Sequence, residues 1–253
     1  MHVGSVVRRG GWGYVGGALA RGKVQLCGRL VLEVDDRRVE GELPGRQGRL
    51  LLAYLVAHRL RTVTRDELVE AIWGDDADGG LAPLLSKLRR VVPVDGIRLA
   101  FDELWVDTEA AIEALHRAES ALALGEPLRA WGPAQVAMFV GGRTFLPGED
   151  APWIDEVRRR LGDVHVRAVE AYAGAALGAG GTELAAAVRA GRTLVRLEPY
   201  RESGYRILME ALEQEGNCAE ALLVYEELRT KLREELGVNP SEPTQVLHRR
   251  LLG

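Results

Sequence analysis

Cysteine is nearly missing from this chain: Cys27 and Cys218 are the only two in 253 residues. They lie far apart with no metal-like partners beside them, which argues against a disulfide framework and for a reducing, cytoplasmic setting. Long apolar runs are missing as well. No stretch of about 18 apolar residues occurs, so no membrane-spanning helix is expected. An excess of basic charge is also lacking, with a net charge of -4 and a sequence pI near 5.8. The imbalance is uneven: residues 1–23 sum to +4, residues 24–107 to -3 and residues 108–253 to -5. Any contact with a polyanion must therefore come from a local patch.

Catalytic constellations are absent too. The histidines His2, His58, His116, His165 and His248 have no metal-ligand spacing, and no G-x-S-x-G elbow occurs. Adjacent acids such as Asp155-Glu156 and Glu234-Glu235 sit in helical stretches and point in different directions, as solvated faces do. No enzyme, metal or cofactor is expected. Two nucleotide-binding patterns near the start are decoys. Gly11-x-Gly13-x-x-Gly16 has no convincing strand before it and no helix after it. GALARGK, residues 17–23, is followed by Val24 where a P-loop needs Ser or Thr, and by a strand where it needs a helix. Residues 1–23 read as a flexible glycine-rich leader.

What is present is patterning. Residues 24–34, VQLCGRLVLEV, alternate and predict a strand, followed by a turn at Asp35-Asp36 and a short strand over 38–42. From residue 46 the apolar period becomes helical to residue 58. Thr64-Arg65-Asp66-Glu67 has the form of a capping box and opens a second helix that Gly74 ends. A third helix is predicted over 81–92. Residues 97–101 and 104–106 flank Asp102-Glu103 as a tight hairpin. This order is that of a winged helix-turn-helix.

After Asp107 the pattern is helical, with helices over 108–124, 150–178, 182–197, 200–215, 217–236 and 242–252. The segment between the first two reads as irregular. Similar stretches recur about 36 residues apart, close to the tetratricopeptide period of about 34. Gly237 and Pro240 break the chain before a last short helix, which serves as the cap that stacked hairpins need. The fold class is therefore mainly α with a small β component. The domains are the leader at 1–23, a winged helix at 24–107 and a tetratricopeptide-like helical domain at 108–253.

The third helix carries the candidate site. Leu81, Leu85, Leu88 and Val92 recur at helical spacing and face the core, which leaves Ser86, Lys87, Arg89 and Arg90 outside. In a winged helix this surface enters the major groove of DNA, where Arg or Lys takes guanine and serine takes phosphate or a base edge. Arg46, Arg49 and Arg98 supply supporting cations. The bland alternative is a solvated helix end whose cations oppose the dipole.

The chain resembles the SARP-type bacterial transcriptional activators, which join an OmpR-like winged helix to a bacterial transcriptional activator domain. The resemblance covers about residues 24–252. It is carried by GRLVLEVDDRRV, by GRQGRLLLAYLVAHRLRTVTRDELVEAIWGDD, by SKLRR, and by LEPYRESGYRILMEALEQEGNCAEALLVYEELRTKLREELGVNP. It implies an activator that binds promoter repeats in double-stranded DNA and recruits RNA polymerase; the helical domain is expected to mediate self-association or the polymerase contact. The chain departs from the pattern at Ala82, Pro83 and Leu84, where the family usually has polar or basic residues. It also departs in a short wing with Asp102-Glu103 at the expected tip. The rival expectation is a protein-interaction scaffold with a degenerate winged helix, in which an exposed Leu84 joins a docking patch.

Overall fold

The computed structural model describes residues 20–74 and 80–253. The glycine pattern at Gly11–Gly16, nearly all of the leader and the loop at 75–79 lie outside the described residues. The chain divides into two units. The first runs to Asp107 and also takes in Phe145–Glu156. The second comprises Thr108–Thr144 and Val157–Gly253.

The first unit is a winged helix-turn-helix. Its sheet sets Arg37–Arg38 (β3), Val31–Val34 (β2), Arg21–Gln25 (β1) and Glu103–Val106 (β6) side by side in that order. Strand β1 runs antiparallel to β2 and parallel to β6. The sequence predicts one strand over 24–34, and the structure interrupts it at residues 26–30. The buried Asp107 carboxylate accepts the Leu26 amide at 3.0 Å and the Cys27 amide at 2.8 Å. The Leu26 carbonyl accepts the Leu146 amide at 2.9 Å. Those groups therefore bond outside the β1–β2 ladder, and Gly28, at φ 80°, turns the chain back. Asp35 and Asp36, both at positive φ, make the expected turn. The strand expected over 38–42 shrinks to β3 (Arg37–Arg38), followed by a 3-10 turn at Glu40–Glu42.

Helix α1 (Gly45–Ala57) forms the centre of this unit, with Leu50 to Val56 buried without a break. Helices α2 (Arg65–Trp73) and α3 (Leu81–Leu88) complete the helical part. The hairpin is not at Asp102-Glu103. It joins β4 (Val94–Asp95) to β5 (Arg98–Leu99) through Gly96, at φ 57°. Asp102 is instead tied to the start of β1, its carboxylate accepting the Ala20 amide at 2.7 Å and its own amide donating to the Ala20 carbonyl. Glu103 pairs with Arg21 in β6 and β1.

The second unit is built of helices α4 (Asp107–Ala123), α5 (Pro127–Gly141), most of α6 (Pro152–Ala179), α7 (Leu184–Leu197), α8 (Glu202–Gln214), α9 (Cys218–Lys231) and α10 (Glu242–Leu252). Helix α5 lies in the segment read as irregular. Pro127 is harmless in its first turn, whereas Pro133 removes one interior hydrogen bond. Tertiary packing outweighs that cost. Ala130, Ala134 and Ala137 are fully buried against Ala114 and Ala118 of α4 and Ala168 and Ala175 of α6. Only small side chains let backbones approach this closely, so the core shows little of the leucine pattern by which helices are recognised.

Helices α7, α8 and α9 pack in succession as antiparallel hairpins. A Cβ on Gly191 would stand 3.2 Å from the Leu208 Cα, and one on Gly204 would stand 2.9 Å from the Leu194 Cγ. The two glycines thus set the close α7–α8 approach. Helix α9 continues as a π-helical stretch, Leu232–Leu236, that ends at Gly237, φ 69°. The Gly237 amide donates to Arg233, and the Val238 amide donates to Leu232 at 3.2 Å. Helix α10 then caps the stack with buried Thr244 and Leu247, and His248 stacks on Tyr225 with ring centres 3.7 Å apart.

Candidate nucleic-acid interface

The approach to α3 is set residue by residue. Thr64 caps α2 by accepting the Glu67 amide at 3.2 Å, as its sequence predicts. Glu67 also takes a hydrogen bond from the Thr64 backbone, the reciprocal half of the capping box. Its carboxylate accepts from Arg61 at 2.7 Å, and Arg61 also donates to the Tyr54 hydroxyl of α1 at 3.2 Å. That hydrogen bond from Arg61, with its charge, lowers the pKa of Glu67 below the usual carboxylate value. Arg61 therefore links α1 to the first turn of α2. At the other end of α2, Gly80 opens α3 against the Trp73 ring, where a Cβ would stand 3.1 Å from the indole.

Leu81, Leu84, Leu85 and Leu88 of α3 are buried. The spacing i, i+3, i+4, i+7 fixes the inner face, and Val91 and Val92 anchor the turn that follows. Leu84 is only 7% exposed, so it joins the core and no docking patch. The outer face presents Ala82, Pro83, Ser86 and Lys87, all exposed, and then Arg89 and Arg90. The helix proper is shorter than the 81–92 expected. Arg89 is its C-cap and Arg90 lies in the following turn.

These cations are not equivalent. Arg89 donates to the Gly96 carbonyl at 2.6 Å, tying the end of α3 to the tip of the β4–β5 hairpin. Arg98 is exposed in that hairpin, opposite Asp95 in the pairing register. Among the described residues, Lys87, Arg89, Arg90 and Arg98 make no ion pair. Arg46 and Arg49 at the start of α1 do. Both converge on Glu149, at 2.6 Å and 3.2 Å, and that carboxylate is largely buried. The structure thus brings Ser86, Lys87, Arg89 and Arg90 to one helix end, places Arg98 in the hairpin tied to it, and turns Arg46 and Arg49 toward an acid.

Glu149 belongs to the segment that returns to the first unit, and composition alone did not single it out. Phe145 bridges Cys27 through the backbone, and Trp153 donates to the Ala71 carbonyl at 3.0 Å while its ring meets Tyr54 edge-on. The one available signal was an aromatic and glutamate cluster inside a stretch otherwise lacking periodicity. Among the described residues, no group of three or more His, Cys, Asp or Glu is placed to hold a metal ion. None of the described helices is long and apolar enough to cross a membrane.

Residues 100–252 match the family model of the bacterial transcriptional activator domain. The regulatory protein AfsR of Streptomyces griseus is 30% identical over 217 residues, and that of Streptomyces coelicolor 31% over 219 residues. Each match takes in 81% of this chain but only 22% of the relative. A solved structure, Mycobacterium tuberculosis EmbR in complex with a low affinity phosphopeptide, superimposes with a TM-score of 0.75 at 24% identity. That match covers 92% of this chain and 65% of EmbR. With its winged helix followed by this helical domain, the chain belongs to the bacterial transcriptional activator domain family, in the SARP-type arrangement.

Proposed function

We propose that this chain is a cytoplasmic transcriptional activator whose winged helix binds promoter DNA through the C-terminal end of α3. One observation carries the reading. Lys87 and Arg90 stand exposed together on that end without an ion pair among the described residues, whereas many other described arginines, such as Arg37, Arg167, Arg201 and Arg250, are matched by acids. Uncommitted cations at one place outweigh an overall charge of -4 locally, because charges separated by more than the Debye length of roughly 10 Å are screened. The sequence just before α3 contains Asp75, Asp76 and Asp78, so phosphate contact falls to its other end. Ser86 lies beside the base edges, Arg98 adds a hairpin contact, and Arg89 holds the hairpin in place. Arg46 and Arg49 contribute field while engaged with Glu149.

For the helical unit we propose contact with RNA polymerase. Self-association is a second reading, favoured by one feature of α5. Leu128, Val136 and Phe139 are exposed along one helical face, at 77%, 48% and 57%, around Gly132, whose side has open space. The charge beside that face, Arg129, is matched by Glu126 at 2.9 Å, so a second copy can meet it without leaving a charge unpaired. The DNA reading is tested by capture of genomic fragments on the full chain. Enrichment of discrete promoter fragments supports the activator. Recovery no better than from a scrambled control, with a stable protein partner instead, supports a scaffold.

A further inference from the structure

The exposed face of α3 is chemically unusual for a helix that meets base edges. Ala82 and Ser86 are four apart, as are Pro83 and Lys87, and Pro83 and Ser86 are three apart, so these four line one side of the rod, opposite the buried leucines, with Arg90 in the turn that follows. Along its first turns that side offers a methyl group, a pyrrolidine ring and a hydroxyl. Bidentate recognition of guanine takes Arg or Lys, adenine takes Asn or Gln, and the cytosine amino group takes Asp or Glu. None of these residue types stands on the face before Lys87, in the last turn. The side chain that would have offered another contact there, Leu84, is committed to the core.

We propose that α3 reads its site through the 5-methyl groups of thymine, packed against Ala82 and Pro83, with Ser86 completing the contact to a neighbouring base edge. The inference rests on the reading that α3 enters the major groove. Only thymine among the four bases carries an apolar group there, and an apolar surface is the partner that gains from covering it. Lys87 and Arg90, one turn further along, grip phosphate and set register without choosing sequence. Specificity and salt dependence therefore reside on different residues of one short helix.

The test begins with selection of random duplexes by the full chain, followed by single replacement of each thymine in the selected site by deoxyuridine. That replacement removes a methyl and leaves charge and base pairing intact. Burial of one such group is worth roughly 0.8 kcal/mol, or about fourfold in affinity. One or two positions are expected to lose about fourfold each, with the slope of log affinity against log salt unchanged. In Ala82→Gly at least one of those uracil substitutions is expected to cost nothing further, and the folded state of that variant is checked by its thermal transition. A selected site whose affinity is indifferent to every uracil substitution overturns the inference and leaves DNA binding standing. Failure to enrich any duplex overturns the DNA-binding reading, and the inference with it.

Discussion

The guanidinium of Arg89 donates to the Gly96 carbonyl at 2.6 Å, so the helix end and the hairpin tip form one piece. An arginine engaged in this way holds the hairpin against the helix end. Arg89→Ala is expected to weaken DNA binding several-fold while leaving the salt dependence as it was. Arg98→Ala is expected to lower the slope by less than one phosphate equivalent, about 0.9. Titrations at three or more salt concentrations separate the two effects.

Glu149 gathers Arg46 and Arg49, and its side chain is only 10% exposed. Removing one partner from such a pair leaves charge poorly compensated. Glu149→Ala is expected to destabilise the first unit by about 1–3 kcal/mol, the usual penalty for breaking partly buried charge-assisted bonds. Arg46→Ala and Arg49→Ala are expected to shift the denaturation midpoint more than the salt slope of DNA binding. Urea unfolding followed by tryptophan fluorescence reads this directly, because Trp153 lies in the same segment.

Asp107 is 2% exposed and receives the amides of Leu26 and Cys27. Replacement by alanine leaves both amides without their acceptor in a dry place, at about 1–3 kcal/mol for each. Asp107→Ala is expected to be among the most destabilising single changes in the chain, and Asp107→Asn to recover part of the loss. Equilibrium unfolding of the two variants provides the comparison.

The final helix is fastened by Glu202. Its carboxylate accepts from the Ser241 amide at 2.9 Å, the Ser241 hydroxyl at 2.7 Å and the Thr244 hydroxyl at 2.5 Å. Burial alone would raise its pKa. The donors from Thr244 and Ser241, with Arg206 nearby, outweigh burial and hold it below the ordinary value of 4.5. The sign follows from linkage: a depressed folded pKa gives stability that is present above the unfolded pKa and lost as pH falls through the folded one. Amide exchange in α10 is therefore expected to accelerate relative to α8 as pH drops below about 4.5, beyond the intrinsic pH trend. In Glu202→Gln the difference between pH 6 and pH 4 is expected to vanish.

The exposed side of α5 leads to a prediction for oligomeric state. If it joins two copies, Phe139→Glu is expected to shift the sedimentation of the chain to that of a monomer without lowering its thermal transition. No change in sedimentation would assign this face to a different partner.

The residues differed in how openly they announced their places. Thr64, Gly74, Gly237 and Pro240 act through local backbone chemistry, and their roles were legible from the chain alone. So was the inner face of α3, because four leucines at helical spacing allow few other arrangements. Helix α5 was not legible: Pro127 and Pro133 argue for a break, and an alanine core shows little amphipathic contrast. The β1–β2 interruption, the Arg61 partner of Glu67 and the partners of Asp102 depend on residues that their neighbours do not reveal. The Arg46–Glu149 pair spans 103 positions, and no local pattern encodes a partner so distant. The candidate site divides along the same line. Exposure of Ser86, Lys87 and Arg90 follows from periodicity, whereas the engagement of Arg46, Arg49 and Arg89 follows from folding.

The salt dependence of DNA binding by the full chain, compared with its Lys87→Ala/Arg90→Ala variant, tests the central claim most directly. Each lost phosphate contact lowers the slope of log affinity against log salt by about 0.9, so the double variant is expected to fall by about 1.8. An identical slope for the two proteins, with both folded, would contradict the assignment of the α3 end as the surface that holds DNA.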